Sequence, residues 1–370
     1  MNSLQGQDIR PIKITSPSFF LGKNFDGLIS FGAGQPDLLP PESVTKIASE
    51  REDFYYGPIQ GSLDLRGALA KKYNGYNLDH FVITNGGSEA LDLIFRSIVL
   101  KRDQKSGKPK ILLPKPYYYS YIHLARMAGL EIDYYTLIDG KVDLNSFRDQ
   151  IKGCSIVLTN SPSNPLGSVQ SDEVLLEIEG LIEKEGAFLV ADEVYRELLT
   201  EKPVAYRYEN TVVIDSFSKT FCMCGARVGY LYSKNKDLIE SIVDMKTHTS
   251  MNTSNFSQRL ALAALNVDQQ YVEKQRLIWK ERRDFFYKKM LAMGLEPIKP
   301  EGAFYLFLPL KQASRAVVDL FEKHRLVVYD GKWFGAPDLL RFSYALDIKV
   351  MEQGIARFEK FLKDDYVHYQ

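Results

Sequence analysis

A lysine with an unusual set of neighbours lies in the segment DSFSKTFCMCGARVGY, residues 215–230. Lys219 follows two serines, Ser216 and Ser218, and an arginine, Arg227, comes eight residues later. A lysine amine can form a Schiff base with an aldehyde, whereas hydroxyl groups and a guanidinium can bind phosphate oxygens. The segment therefore indicates a site for a phosphorylated carbonyl compound. A surface lysine and a structural ion pair of the arginine are the ordinary alternatives.

A second candidate phosphate contact lies in the stretch TNGGSEA, where Gly86, Gly87 and Ser88 stand between a predicted strand and a predicted helix. Free backbone N–H groups and the helix dipole favour an anion at such a turn. Glycines before a helix more often serve turn geometry alone. Around the arginine of the lysine segment, Gly225 and Gly229 are predicted to let the backbone come close.

Pyridoxal phosphate is a cofactor that carries both an aldehyde and a phosphate. Its ring accepts electrons only while the pyridine nitrogen is protonated, so a buried carboxylate should face that nitrogen. Asp192 directly follows the apolar stretch AFLVA and is the candidate, and a cationic partner is expected because an unpaired buried carboxylate is costly. Tyr195 and Asn164 can contact the ring oxygen. Helix capping by the aspartate and a plain Asn-Pro turn are the alternatives.

The elements that must position these residues are short apolar runs that alternate with helical periods. This alternation predicts an α/β fold with a mostly parallel sheet covered on both faces. Ligands of such sheets bind beyond the carboxyl ends of the strands. The predicted strands are FVIT (81–84), KILL (110–113), SIVLT (155–159), AFLVA (187–191), TVVID (211–215) and VGYLYS (228–233). Polar candidates follow several of these strands, and they include Tyr118.

The last third of the chain has a different character. Residues 269–295 predict a long helix rich in charge, and the stretches GAFYLFLPL and LLRFSYALD predict strands of a smaller α+β domain. We expect an N-terminal arm and part of the small domain in 1–41, a large cofactor-binding domain in 42–275, and a small C-terminal domain in 276–370.

Composition limits the function classes. The 370 residues carry 47 Lys+Arg and 47 Asp+Glu, so no global charge attracts nucleic acid or an anionic membrane. No apolar run approaches the length of a membrane span or of a signal-peptide core. The three cysteines read as reduced thiols of a cytoplasmic protein, and their spacing predicts no metal site.

The lysine segment resembles the attachment pattern S-x-S-K-x-x-x-x-x-G-x-R-x-G of class I/II aminotransferases, the fold-type I pyridoxal phosphate enzymes. The resemblance continues in order along nearly the whole chain, through GAGQPDLLPP, YYGPIQGSLDLRGALA, ITNGGSEAL, NSPSNPLG, ADEVY, EGAFYLF and LRFSYA. It implies a large domain with a mostly parallel seven-stranded sheet between helices, plus a smaller α+β domain. It also implies a homodimer that moves amino groups between an L-amino acid and a 2-oxo acid.

By this resemblance Lys219 is the Schiff-base lysine and the proton shuttle, Asp192 pairs with the pyridine nitrogen, and Tyr118 stacks on the ring. Tyr195 and Asn164 contact the ring hydroxyl. The implied phosphate ligands are Gly86, Gly87, Ser88, Ser216, Ser218 and Arg227, together with Tyr56 lent across the dimer interface. The implied substrate contacts are Arg341, which binds the α-carboxylate, Gly34 and Asn164.

Substrate choice is less visible in the sequence. The segment 244–259 offers Lys246 and His248 for a side-chain carboxylate but no arginine in its middle, and an aromatic or broad pocket is an alternative. A β-lyase or decarboxylase outcome with the same cofactor contacts stays open. A non-catalytic regulator on this fold is the third alternative, although no DNA-binding module precedes residue 32.

Overall fold

The computed structural model describes residues 14, 16–17, 20, 26–47, 55–101, 107–199, 202–267 and 269–369. Its strands are β1 Ile29–Ser30, β2 Phe81–Thr84, β3 Lys110–Lys115, β4 Glu131–Ile138, β5 Lys141–Val142, β6 Ile156–Asn160, β7 Phe188–Asp192, β8 Thr211–Ser216, β9 Gly229–Ser233, β10 Tyr305–Pro309, β11 Leu326–Val327, β12 Tyr329–Asp330 and β13 Leu339–Ser343. Its α-helices are α1 Glu42–Ile47, α2 Leu63–Lys72, α3 Gly87–Lys101, α4 Ser120–Met127, α5 Leu144–Gln150, α6 Asp172–Glu185, α7 Phe217–Thr220, α8 Lys236–His248, α9 Asn255–Leu265, α10 Gln269–Ala292, α11 Ala313–His324 and α12 Ile348–Asp364. Within these residues, no helix combines the length and the apolar composition that crossing a membrane requires.

The large sheet has the order β2-β9-β8-β7-β6-β3-β4-β5. The four central pairings, β8/β7, β7/β6, β6/β3 and β3/β4, are parallel, and the pairings of β9 and β5 are antiparallel. The predicted mostly parallel sheet is confirmed. The family resemblance implied seven strands, and the described residues form eight. The additional strand is β5, which is only two residues long and pairs with β4 at the edge of the sheet. A two-residue strand leaves no pattern that a sequence can reveal.

Helices cover both faces of this sheet, because its strands are apolar on both sides. β2, β6, β8 and β9 are buried along their whole length. One core joins the sheet to α2, α5, α6 and α9, and the core on the opposite face joins it to α3, α4 and α8. Because β6, β7 and β8 pair in parallel, their carboxyl ends lie at one edge of the sheet.

Local signals explain where the covering helices begin and end, and α6 is an example. The Oγ of Ser171 accepts a hydrogen bond from the N–H of Val174, and Asp172 and Glu173 lie in the first turn, where they complement the helix dipole. The helix ends at Glu185, and the capping residue that follows, Gly186, has a φ of +66°, which suits glycine.

The smaller body is built on β10, β13 and β12, which form an antiparallel sheet. Its core joins this sheet to α10, α11 and α12. From the N-terminal region, β1 pairs in parallel with β11, so this part of the predicted arm adds to the smaller body. Most of residues 1–25 lie outside the described residues. The expected boundary at 275 and 276 falls inside α10, a continuous helix, and the domain limits stay a prediction.

Candidate active site

A cavity of about 380 Å³ opens at the carboxyl edge of the large sheet, where it faces the smaller body. The predicted site residues that line it are Gly34, Gly87, Ser88, Tyr118, Asn164, Asp192, Tyr195, Ser216, Ser218, Lys219, Arg227 and Arg341. They come from segments spread over three hundred positions of the chain. The sheet register explains the convergence, because Asn160 pairs with Asp192 where two parallel strands end, and Ser216 ends the next strand.

Lys219 lines this cavity. It belongs to the short helix α7, whose first turn is capped by the Ser216 Oγ, which accepts a hydrogen bond from the Ser218 N–H at 3.1 Å. The lysine Nζ donates to the carbonyl oxygen of Gly34 at 2.7 Å and lies 5.9 Å from the centre of the Tyr195 ring. No carboxylate of the described residues forms an ion pair with it. The amine is therefore held in the cavity without being neutralised.

A corner of the cavity gathers groups that suit a phosphate. The Ser216 hydroxyl donates to the Ser218 Oγ at 2.9 Å, and Ser88 lies in the first turn of α3, close to the positive end of the helix dipole. Arg227 donates to the carbonyl oxygens of Cys224 at 2.9 Å and Asn85 at 3.3 Å. The alternative of a structural ion pair for this arginine finds no partner among the described residues. Its charge remains available to an anion.

Close backbone approach shapes the same corner. Gly86 has a φ of +81°, and a Cβ there would lie 2.5 Å from Arg227 Nη2. A Cβ at Gly229 would lie 3.0 Å from the backbone of Gly86 and from the Asp215 carbonyl. The expected close approach therefore holds for Gly229. It is wrong for Gly225, because a Cβ at that position would have open space around it, with no neighbouring atom within 4 Å.

Asp192 is buried and has no cation within ion-pair distance in the described part of the chain. The Tyr121 hydroxyl donates to its Oδ2 at 2.6 Å, and the Val194 N–H donates to Oδ1 at 3.3 Å. Burial raises the pKa of Asp192 to about 6, against the opposing effects of these hydrogen bonds and of the Lys219 charge. The cationic partner expected from the sequence is thus not found among the described residues, and a protonated pyridine nitrogen fits as that partner.

Two further contacts were missed by sequence reasoning. Tyr121 lies in the first turn of α4, and its ring meets the Tyr118 ring edge to face at 5.4 Å. The cluster of tyrosines around Tyr118 is the signal that could have revealed it. Asn160 ends β6, where its amide donates to the Asp192 carbonyl oxygen at 3.1 Å, and its Oδ1 accepts from the Asn164 N–H at 2.7 Å. It ties together the ends of two strands that carry site residues.

Arg341 lies at the other end of the cavity and is almost fully buried. Its guanidinium donates to Asn164 Oδ1 at 2.9 Å and to the carbonyl oxygen of Gly32. Three aromatic rings surround it, with centroids 4.4 to 4.7 Å away, and they belong to Tyr305, Tyr329 and Phe334. Its Nε has no hydrogen-bond partner in the described residues. A buried guanidinium with unused donors fits a carboxylate ligand.

Tyr195 is also buried, and its hydroxyl shares a hydrogen bond of 2.7 Å with the Tyr305 hydroxyl. The two rings meet edge to face, with centroids 5.7 Å apart. Burial raises the pKa of Tyr195 well above its ordinary value, so the phenol is neutral and can donate a hydrogen bond. This phenol pair links the β7 end of the cavity to the rings around Arg341.

The remaining predicted residues lie elsewhere. Tyr56 is 82% exposed and does not line the cavity of its own chain. Lys246, considered for a side-chain carboxylate, is fully buried in an ion pair with Glu89. The His248 side chain is 76% exposed, beside Asp244 at 3.9 Å. Neither of the two candidate cations from the segment 244–259 reaches the cavity of the chain to which it belongs.

The cavity thus offers an amine, a phosphate corner and an unpaired buried carboxylate, and these residues fit pyridoxal phosphate. A family model described as aminotransferase class I and II matches residues 26–358. An aspartate aminotransferase of Bacillus subtilis (strain 168) is 28% identical over 91% of each chain. The aromatic-amino-acid aminotransferase 2 of Thermococcus litoralis is 30% identical over 94% of each chain.

Solved structures agree with these sequence matches. The aspartate aminotransferase of Thermotoga maritima superposes with a TM-score of 0.84 at 28% identity, covering 91% of this chain and 92% of that one. An aromatic aminotransferase of Pyrococcus horikoshii OT3 gives a TM-score of 0.82 at 27% identity, covering 92% and 97%.

Proposed function

The chain belongs to the class I and II aminotransferases, which depend on pyridoxal phosphate, and from this premise we propose that its amino donors carry uncharged, preferably aromatic, side chains. The enzyme is a transaminase, so the donor passes its amino group to a 2-oxo acid. The relatives named above act on aspartate or on aromatic amino acids according to their names, and they leave the choice between these classes open.

The observation that carries the proposal is the set of cations around the cavity. Lys219, Arg227 and Arg341 are the lysines and arginines that line it among the described residues. We assign the first to the aldehyde, the second to the phosphate and the third to the α-carboxylate. A dicarboxylic substrate would bring a further carboxylate into the cavity. The described residues of this chain offer no fourth lysine or arginine in the cavity lining to pair with it, and burying a carboxylate unpaired would be costly.

The wall near Arg341 supports the same substrate class. Tyr119 and Tyr329 line the cavity there, and the Tyr119 ring meets the Phe334 ring edge to face at 5.9 Å. Gln35 supplies a neutral polar group. Aromatic side chains pack favourably against such rings in edge-to-face and offset arrangements.

Each residue then has a defined task. Pyridoxal phosphate, when bound, supplies an aldehyde and an electron-accepting ring. Arg341 binds the α-carboxylate through its planar fork and so orients the Cα–H bond. The Nζ of Lys219 would take the proton from Cα as a general base and, as a general acid, deliver it to the carbon that carries the cofactor's aldehyde. Asp192 would hold the pyridine nitrogen protonated, and Asn164 and Tyr195 would contact the ring oxygen.

We further propose a homodimer in which Tyr56 reaches the phosphate of the neighbouring subunit. Its ring is exposed, and the backbone beside it is held in place because the Asn255 amide donates to the carbonyl oxygen of Tyr55 at 2.8 Å. Sedimentation of the active enzyme tests this assembly, and a fully active monomer would contradict it. The cytoplasmic location expected from the cysteines stays a prediction.

The experiment is a comparison of kcat/KM for phenylalanine, tyrosine, leucine and aspartate with 2-oxoglutarate as the acceptor. We expect the aromatic donors to exceed aspartate by at least about tenfold, and the cofactor absorbance to change when phenylalanine is added alone. A preference for aspartate would overturn the proposed substrate class. Release of ammonia in place of transfer would instead favour the β-lyase reaction.

A variant sharpens this comparison. Tyr119→Lys places a cation at the proposed side-chain wall, so it should raise kcat/KM for aspartate relative to phenylalanine. Tyr134→Lys is the matched control, since Tyr134 stacks on Tyr117 outside the cavity lining. If both variants change the ratio of kcat/KM for aspartate to kcat/KM for phenylalanine equally, the assignment of the Tyr119 wall to the substrate side chain is wrong.

A further inference from the structure

Lys246 is a fully buried lysine close to the end of α8. Its ammonium donates to Glu89 Oε2 at 2.9 Å and to the Ser250 hydroxyl at 3.0 Å. Desolvating an ammonium is costly, so a lysine in this position must be fixed by its partners. None of the tasks assigned to the active site uses it.

Its partner, Glu89, lies in the first turn of α3, one residue after Ser88. The Glu89 carboxylate accepts hydrogen bonds from the Asn85 N–H at 2.6 Å and from the Asn85 side-chain amide at 3.0 Å. The carbonyl oxygen of Asn85 in turn accepts from Arg227 Nη2 at 3.3 Å. The carboxylate therefore fixes the turn that enters the phosphate corner, and it places a negative charge within a few residues of that corner.

The state of this carboxylate is set by opposing effects. Burial acts to raise the pKa of Glu89, but hydrogen bonds from Ser250 and Asn85 and the charge of Lys246 outweigh it and hold the pKa below its ordinary value. The carboxylate is ionised at neutral pH. A phosphate in the corner would be repelled by it unless a cation balanced the charge.

We propose that Lys246 is a positioning residue for cofactor binding, which neutralises Glu89 so that this carboxylate can hold the Asn85 turn without repelling the phosphate. The inference rests on the proposed assignment of the corner to the phosphate. Without the ammonium, the charged Glu89 carboxylate repels the phosphate. The predicted effect therefore depends on the charge of the ligand.

The test compares two ligands of the cofactor-free enzyme, pyridoxal phosphate and pyridoxal, which lacks the phosphate. Lys246→Met should raise the Kd for pyridoxal phosphate about 10- to 100-fold, the range expected for one unbalanced charge near a dianion at an effective dielectric constant of about 20. The Kd for pyridoxal should change less than about threefold. Visible absorbance reports both, independently of turnover.

Adding Glu89→Gln to Lys246→Met removes the unbalanced charge, so the double variant should bind pyridoxal phosphate within about threefold of wild type. Lys363→Met is the matched control, because Lys363 forms an exposed i,i+4 pair with Glu359 at 2.8 Å, and it should change neither Kd. Should Lys246→Met not fold, Lys246→Gln is measured in its place, because its side-chain amide keeps a donor for Glu89 without the positive charge. It should weaken pyridoxal phosphate binding selectively, as predicted for Lys246→Met.

If Lys246→Met raised the Kd for pyridoxal phosphate and for pyridoxal equally, the inference would be overturned, since this result would indicate a purely structural role. Unchanged binding of pyridoxal phosphate in Lys246→Met, or in Lys246→Gln where that variant replaces it, would overturn it as well. Failure of wild type to prefer pyridoxal phosphate over pyridoxal would instead contradict the phosphate corner, and with it the proposed cofactor assignments. The substrate comparison above is independent of all of these outcomes.

Discussion

Replacing Asp192 with asparagine should stabilise the cofactor-free protein at alkaline pH while it impairs catalysis. The carboxylate is buried without a cation in the described residues, and burial raises its pKa from 3.8 to about 6. An asparagine has nearly the same shape, and its side-chain oxygen can still accept the hydrogen bond from the Tyr121 hydroxyl. The substitution therefore removes a buried charge and keeps the packing, although it gives up the longer hydrogen bond, 3.3 Å, from the Val194 N–H to Oδ1.

The magnitude follows from the pKa. A difference of about two units corresponds to about 3 kcal/mol of unfolding free energy, since one unit is about 1.4 kcal/mol. The raised pKa means that, between pH 3.8 and about 6, the folded protein binds more protons than the unfolded chain, so stability falls as the pH rises through this window. The gain from Asp192→Asn should be about 3 kcal/mol at pH 8 and about 1 kcal/mol near pH 4.5.

Urea unfolding of the cofactor-free proteins at the two pH values measures this difference. Asp244→Asn is the control, because the Asp244 side chain is 82% exposed and its substitution should leave both values nearly unchanged. With pyridoxal phosphate present, wild type should be more stable to urea than Asp192→Asn, since only the wild-type carboxylate can pair with the pyridine nitrogen. A variant that is less stable than wild type at pH 8 without cofactor would refute the reasoning.

The Lys219→Ala variant should lose turnover but still bind the cofactor, because the phosphate corner and Asp192 remain. Steady-state rates measure the turnover, and the cofactor content after gel filtration measures the binding. Full activity of the variant would contradict the assignment of Lys219. Arg341→Lys should raise the KM for the amino donor at least about tenfold, because a point charge does not replace the planar fork. An amine without a carboxylate serves as the comparison substrate and should be unaffected. Tyr56→Phe should weaken pyridoxal phosphate binding about tenfold, the value of one hydrogen bond to a charged group, without changing the sedimentation coefficient. A loss of dimer would show that the ring acts in assembly instead.

The sequence predicted the parts of the fold in which burial leaves a simple pattern. The buried strands that carry Asn160, Asp192 and Ser216 are continuous apolar runs, and their order placed the site at one sheet edge. The strand Glu131–Ile138 was not predicted, because most of its side chains are exposed or half-buried and charged residues interrupt it. Its position depends on pairing with β3, a contact that the local sequence does not encode.

In the candidate site, too, local sequence motifs could be recognised, but contacts between distant segments could not. Lys219 and Arg341 could be identified from local motifs, whereas the surroundings of each depend on distant pairings. Tyr329 lies beside Arg341 because their strands are paired in register, and Tyr305 follows from the neighbouring strand. Lys246 was considered for a substrate carboxylate, and its burial could not be predicted for a related reason. A lysine on a charged helix is usually exposed, and only the packing of α8 on α3 shows that this one is buried.

The three aromatic rings around Arg341 restrict its side chain in the folded protein before a substrate binds. A free arginine side chain has about 2 kcal/mol of rotamer entropy to lose on immobilisation. Here the rings and the hydrogen bonds to Asn164 and Gly32 restrict the guanidinium before any substrate arrives, so that loss belongs to folding and not to binding. Calorimetry of carboxylate ligands should therefore find a small entropic penalty at this end of the cavity. Differences between donors should then come from their side chains.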